Sequence, residues 1–215
     1  MASLLPSQPR TYVYVDGFNL YYNALKGTAF RWLDLMKLAR LLLPQHDVRQ
    51  VRYFTARVTA LPHDVDQPRR QETYLRALRT LPNLSIHFGS FKVYPGWLPL
   101  VNPPPTGSPL VRVFKPQEKG SDVNLATHLL IDAVMGHFEE AVVITNDSDL
   151  RAPIRAVGQV HNLKVGVLHP HAKPSKELDQ VAAFCRGIPP GALKACQFQP
   201  SLQDHRGRFR KPASW

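Results

Sequence analysis

Cysteine is nearly absent: the 215 residues hold only Cys185 and Cys196. Two thiols cannot build a disulfide framework or a Cys-rich zinc site, so a reducing, cytoplasmic setting is expected. Long apolar runs are missing too. No stretch approaches the ~18 consecutive apolar residues of a membrane span. The start, MASLLPSQPR, lacks the basic and apolar regions of a signal peptide. Acids are scarce, 16 Asp and Glu against 27 Lys and Arg, which leaves a formal charge of +11. Such a cationic surface rewards a polyanionic partner through phosphate neutralisation and counterion release. Nucleic acid is therefore expected as a partner, and a membrane is not.

What the chain does have is 44% hydrophobic residues in short apolar runs that alternate with amphipathic stretches. TYVYVD (11–16), VRQVRYFTARV (48–58), LSIHFGSFKVY (84–94), AVVIT (141–145) and LKVGVLHP (163–170) read as strands. NLYYNALK (19–26), LDLMKLARLLLP (33–44), QPRRQETYLRALRTLP (67–82), SDVNLATHLLIDAVMGH (121–137), LRAPIRAVGQVH (150–161) and SKELDQVAAFC (175–185) read as helices. The Pro- and Gly-rich YPGWLPLVNPPPTGSP (94–109), set before the strand-like LVRVFK (110–115), predicts a hairpin-like insertion near 92–115 with a long tip. The fold class is α/β, with a central, mostly parallel sheet covered by helices on both faces. One domain is expected over 10–186. Residues 187–215, with RGRFRK (206–211), read as a basic, mobile tail.

In such sheets the ligand crevice lies beyond the carboxyl ends of the strands, and the scarce acids gather there. Asp16 ends the first strand, and Asp147 and Asp149 follow AVVIT in VVITNDSDLRAPI (142–154). Asp122, in EKGSDVN (118–124), opens a helix for which Ser121 is a suitable N-cap. Singly, each acid has a plain structural use: Asp122 favours the positive end of its helix dipole, and Asp149 could cap the helix that follows it. Together they repel one another unless a cation or proton compensates. A cluster of hard oxygen ligands without cysteine suits Mg²⁺ or Mn²⁺ rather than Zn²⁺.

The blocks VYVDGFNLYY, RRQETYL, EKGSDVNLATHLLIDA and VVITNDSDLRAPI, in that order between about 11 and 170, resemble the signature blocks of the NYN domain family of the PIN-like ribonuclease superfamily. The resemblance implies a PIN-like three-layer sandwich and a metal-dependent nuclease site at the carboxyl edge of its sheet. It implies catalytic roles for Asp16, Asp122, Asp147, Asp149 and Asn19, with the four aspartates as ligands of Mg²⁺ or Mn²⁺. It also implies products with 5′-phosphate and 3′-hydroxyl ends. Neither 94–109 nor the region after 186 is covered by it.

The expected activity is hydrolysis of RNA, with DNA left open as substrate and a homodimer compatible with the sequence. Arg69, Arg70, Arg76 and Arg79 form a candidate phosphate track on one helix, Lys119 precedes the acid-bearing helix, and Thr145 is a polar neighbour for phosphate or water. Each has a plain alternative, a solvated surface charge or a turn hydrogen bond. Gln71 falls on the apolar side of its helix and needs a hydrogen-bond partner. Trp97 with Tyr94, near Lys92 and Arg112, has the aromatic-plus-basic character that stacks unpaired bases. A phosphatase using an Asp after the first strand needs a second Asp two residues on, where this chain has Phe18. The remaining alternative is a non-catalytic RNA-binding or regulatory module on the same fold.

Overall fold

The computed structural model describes residues 8–215, so the leader reading of the first residues lies outside the described residues. The chain runs β1 (Arg10–Asp16), α1 (Gly17–Leu20) continued by a π-helical turn (Tyr21–Leu25), α2 (Leu35–Leu42), β2 (Asp47–Thr55), α3 (Gln67–Leu78) and β3 (Leu84–Phe88). β4 (Ser90–Pro99), β5 (Leu110–Lys119), α4 (Ser121–Val134), β6 (Glu140–Ile144), a 3-10 turn (Ser148–Leu150), α5 (Arg151–Val160) and β7 (Lys164–His169) follow. The chain ends with α6 (Lys176–Asp179), β8 (Phe184–Gly187), α7 (Pro190–Ala195), β9 (Ser201–Asp204) and β10 (Gly207–Arg210).

Six strands form one sheet in the order β3-β2-β1-β6-β7-β8, every pair parallel. The strands are apolar along their length because both faces are covered. Val13, Val15, Val142 and Ile144 face one core, shared with Leu35 and Leu38 of α2 and Tyr74, Leu75 and Leu78 of α3. Tyr14 and Val143, one residue out of phase, face a second core with Leu125 and Leu129 of α4 and Ile154 and Val157 of α5. Three layers result, as the alternation predicts. β4 and β5 form a separate antiparallel hairpin joined by 100–109, so the insertion has regular structure to within its tip.

One polar cluster interrupts the second core. Tyr14 donates to Asp132 Oδ2 at 2.7 Å, and Arg52 donates Nε and Nη2 to the two Asp132 oxygens at 2.6 and 2.8 Å. His137 Nδ1 lies 2.9 Å from Asp132 Oδ1. Burial raises the Asp132 carboxyl, but these partners outweigh it and hold the group below its ordinary value.

Two expectations fail at the C-terminal end. The helix expected over 175–185 lasts only Lys176–Asp179, and Phe184–Gly187 instead pairs with β7 as the sheet's edge. The expected mobile tail is folded. β9 and β10 make a tight hairpin around His205 and Arg206, with Phe209 inward and Arg208 and Arg210 outward. Phe198 and Phe209 pack edge-on against Trp32 at 5.7 and 6.4 Å between ring centres. A basic run that alternates with an apolar residue is a strand pattern, and its charge concealed that.

Candidate active site

Strand order reverses between β1 and β6, and the acids emerge there. Loops leaving neighbouring strands in opposite directions open a crevice at that point. Asp16, 4% exposed, ends β1 and accepts hydrogen bonds from the Asn19 backbone N–H and the Thr145 hydroxyl, both at 3.0 Å. The first bond caps α1. The turn after Asp16 must be glycine, because a Cβ on Gly17 would meet the Phe54 carbonyl oxygen and the Tyr53 ring at 2.6 Å. Gly17→Ala is expected to cost at least about 1–3 kcal/mol in denaturant unfolding, the usual range for overpacking. It should also displace Asp16 and lower activity.

Asn19 accepts from the Asn146 backbone N–H at 2.9 Å, and Asn146 in turn accepts from the Ser175 N–H at 2.8 Å. The loops after β1, β6 and β7 are thus laced together. Asp147 caps the 3-10 turn by accepting from the Asp149 N–H at 3.0 Å. Asp122 arrives from the opposite wall, in the first turn of α4. Its helix begins at Gly120, whose φ of 90° turns the chain sharply out of β5. Gly120, not the expected Ser121, holds the N-cap position, and Glu118 accepts from the Ser121 N–H at 3.0 Å.

Asp16, Asp122, Asp147 and Glu118 line one open cleft of about 260 Å³, with Asn19, Asn23, Phe18 and Tyr22. Burial pushes Asp16 up to about 7, with Asp122 and Asp147 adding to it against the donors Asn19 and Thr145. Burial, then the charges of Asp147, Glu118 and Asp149, pushes Asp122 up to about 6. Crowded carboxylates in a partly dry cleft explain both. Among the described residues, no three His, Cys, Asp or Glu side chains converge into a ready-made ligand set. The donors are nevertheless all hard oxygens carrying charge that nothing in the cleft neutralises, which fits a hard divalent cation.

The remaining sequence-predicted residues divide. Asp149 is exposed and does not line the cleft, though its charge acts on Asp122. Thr145 has no exposed surface; its hydroxyl holds Asp16 and accepts from the Asp147 N–H, so it cannot meet a phosphate. Lys119 is exposed beside the start of α4. The arginine track is largely committed elsewhere. Arg70 pairs with Asp64, Arg79 with Glu72, and Arg76 with Asp204 while stacking on Phe209. Arg69 alone of the four makes no ion pair among the described residues. Gln71 bridges the Val58 N–H and the Ala56 carbonyl, a structural role. Hairpin register separates Tyr94, opposite Lys115, from Trp97, opposite Arg112: the two rings lie on different faces.

Glu118, Asn23, Phe18 and Tyr22 were not foreseen. Glu118 stands four residues before Asp122 in the same acidic block, and Phe18 and Tyr22 share a helix face, so both signals were available. The Phe18 and Tyr22 rings stack at 6.3 Å and form a ridge, against which Phe91 of β4 stacks at 5.9 Å. Across this ridge lies a second cavity, of about 270 Å³, that shares both rings with the acidic cleft.

The chain is 31% identical over 245 residues to the 6-hydroxy-3-succinoylpyridine 3-monooxygenase HspA of Pseudomonas putida, an alignment covering 100% of this chain and 78% of that protein. Its fold is similar to the crystal structure of a protein of unknown function, VPA0982, from Vibrio parahaemolyticus. That likeness has a TM-score of 0.56 at 16% identity and covers 86% of this chain and 96% of the other. No family model matches the sequence. Neither protein carries the NYN name.

Proposed function

From the premise that the chain belongs to the family of the 6-hydroxy-3-succinoylpyridine 3-monooxygenase HspA, we propose that it is an enzyme, and that its acidic cleft hydrolyses phosphodiester bonds of RNA with Mg²⁺ or Mn²⁺. One observation carries this reading. Three aspartates, at the end of β1, in the loop after β6 and in the first turn of α4, share one cleft with Glu118 at the sheet's switch point, and two of them are raised toward neutrality. The NYN-like motifs support it, since Asp16, Asp122 and Asp147 are the residues those motifs supply.

Asp16, Asp122, Asp147 and Glu118 would hold the cation, which when bound neutralises phosphate charge and acidifies a water. Asp16 is the fixed point, pinned by Thr145 and Asn19. Asp122 and Glu118 are partly exposed in the cleft, and Glu118 is held by the Ser121 N–H at the start of α4. Burial raises Asp16 to about 7, so near neutrality a cation held there would compete with its proton. Lys119, exposed beside Asp122, can meet an incoming phosphate.

End-labelled single-stranded RNA, incubated with the protein in Mn²⁺, Mg²⁺ or EDTA, tests the proposal. Cleavage is expected with either ion and not in EDTA, and it should disappear in Asp122→Asn and Asp147→Asn. Cleavage that survives both substitutions would exclude this site. RNA binding without cleavage would favour the non-catalytic module. The name of the relative motivates a second reading, oxygenation of a pyridine, and the ring-lined second cavity is where it would attach. Consumption of a hydroxylated pyridine with dioxygen and a two-electron reductant, alongside intact RNA, would replace the nuclease reading.

A further inference from the structure

We infer that the cavity across the Phe18–Tyr22 ridge holds the base of one unpaired nucleotide, adjacent to the phosphate that the acidic cleft receives. The choice of a nucleotide rests on the nuclease reading; the aromatic and cationic character of the cavity does not. Its walls are rings. Tyr53 and Tyr74 are buried lining residues, Tyr21 and Tyr22 meet edge-to-face at 5.3 Å, and Trp215 packs edge-on against Tyr74 at 5.8 Å. A flat π-system is the ligand such walls favour, because every base presents a face that stacks on aromatic side chains.

The rim carries the opposite character. Lys26 Nζ sits 5.0 Å from the centre of the Tyr22 ring, and the Arg31 guanidinium 5.7 Å from the Trp215 ring. The one acid lining the cavity, Asp64, is neutralised by Arg70, which holds its carboxyl below the ordinary value. Cations over aromatic walls suit a ring that carries an anion, not a neutral hydrocarbon. A polar group that could read the edge of the ring is also present: the Gln67 side-chain amide lines the cavity, and among the described residues it makes no hydrogen bond. At about 270 Å³ the space is near the small end of ligand pockets, roughly 300–1,000 Å³, enough for one base but not a stacked pair.

Position completes the argument. Phe18 and Tyr22 line both cavities, so a strand crossing the ridge would place its phosphate among the acids and its next base in the ring-lined cavity. Only an unpaired or extruded nucleotide can do this, since a base held in a duplex stack is unavailable. The protein would then select single strands and favour certain bases beside the cleaved bond. Gln67 and Tyr21 are binding residues in this scheme and take no part in the chemistry.

Calorimetric titration of the intact protein in EDTA tests this without any cleavage. The ligands are the four ribonucleoside 5′-monophosphates, ribose 5-phosphate and a pyridine carboxylate. At least one nucleotide is expected to bind about tenfold or more tighter than ribose 5-phosphate. Gln67→Ala and Tyr21→Ala should each weaken the nucleotide and leave ribose 5-phosphate unchanged, with thermal melts confirming that both variants are folded. Gln67 is partly exposed, so its substitution tests the idea even if Tyr21→Ala unfolds. Nucleotides that bind no better than ribose 5-phosphate overturn the proposal, as does a pyridine carboxylate that binds while the nucleotides do not. Nucleotide binding in a protein that never cleaves RNA leaves the cavity standing and removes only the nuclease reading.

Discussion

Asp16→Asn should abolish cleavage and at the same time stabilise the cation-free protein at alkaline pH. The loss follows from position. Changing a mere hydrogen-bond partner of a metal ligand costs about 10–100-fold, so removing the most buried carboxylate of the cleft should cost more than about a hundredfold. Asparagine keeps the side-chain shape and the acceptor that caps α1, so the loss would not reflect a collapsed fold. The gain follows from charge. Asp16 titrates at about 7 in the folded protein against 3.8 ordinarily. The folded state therefore holds its proton more tightly than the unfolded chain, and this stabilisation is present at low pH. It is lost as pH rises from about 4 through 7, at most a few kcal/mol in all. Asparagine never ionises and escapes the loss. Thermal unfolding in EDTA should show wild type and variant alike near about pH 4, and the variant higher near about pH 8. Added Mn²⁺ should raise the midpoint of the wild type more than that of the variant. A wild-type melting curve that is flat across this window would contradict the burial of an uncompensated carboxyl.

Asp132→Ala should produce the largest loss of stability, about 3–5 kcal/mol, because removing one partner of a buried ion pair strands the other. Asp132 is 2% exposed, and its loss leaves the buried Tyr14 hydroxyl and the largely buried Arg52 without their shared acceptor, while the exposed His137 can turn to water. Denaturant unfolding at neutral pH measures the effect, and a loss under about 1 kcal/mol would mean that water replaces the carboxylate at no great cost. Asp132 lies below its ordinary value when folded, so its contribution is present at neutral pH and fades as pH falls through the acid range. The two aspartates thus have opposite pH signatures, one set by burial and one by partners.

The parts of the molecule legible in sequence are those fixed by local pattern and by one topological rule. β-branched and aromatic runs gave most of the strands, although LSIHFGSFKVY is two, β3 and β4, in different sheets, and acids at the ends of TYVYVD and AVVIT gave Asp16 and Asp147, which the switch between β1 and β6 brings together. Asp122 followed from its place at the opening of a helix. What could not be read depends on distant partners. Arg76 looked free because Asp204, which claims it, lies 128 residues further on. Thr145 looked like a contact for phosphate because nothing local shows that its hydroxyl is spent on Asp16. The charge of RGRFRK conceals a strand alternation with Phe209 inward. Glu118 stands in the block EKGSDVN, but only the fold, by ending β5 beside the start of α4, turns its carboxylate into the cleft.

The pairing of β1 with β6 also fixes an order of events during synthesis. Thr11 through Val15 align with Glu140 through Ile144, so the central strand waits for a partner more than a hundred residues behind it. While the ribosome is still extending the chain, β1, β2 and β3 can associate among themselves, leaving one long hydrogen-bonding edge bare. Such nonlocal parallel pairing is slow, and an exposed edge invites aggregation. The half-sheet β3-β2-β1 thus precedes the site, and its bare edge is closed only when β6, β7 and β8, through Gly187, have been made.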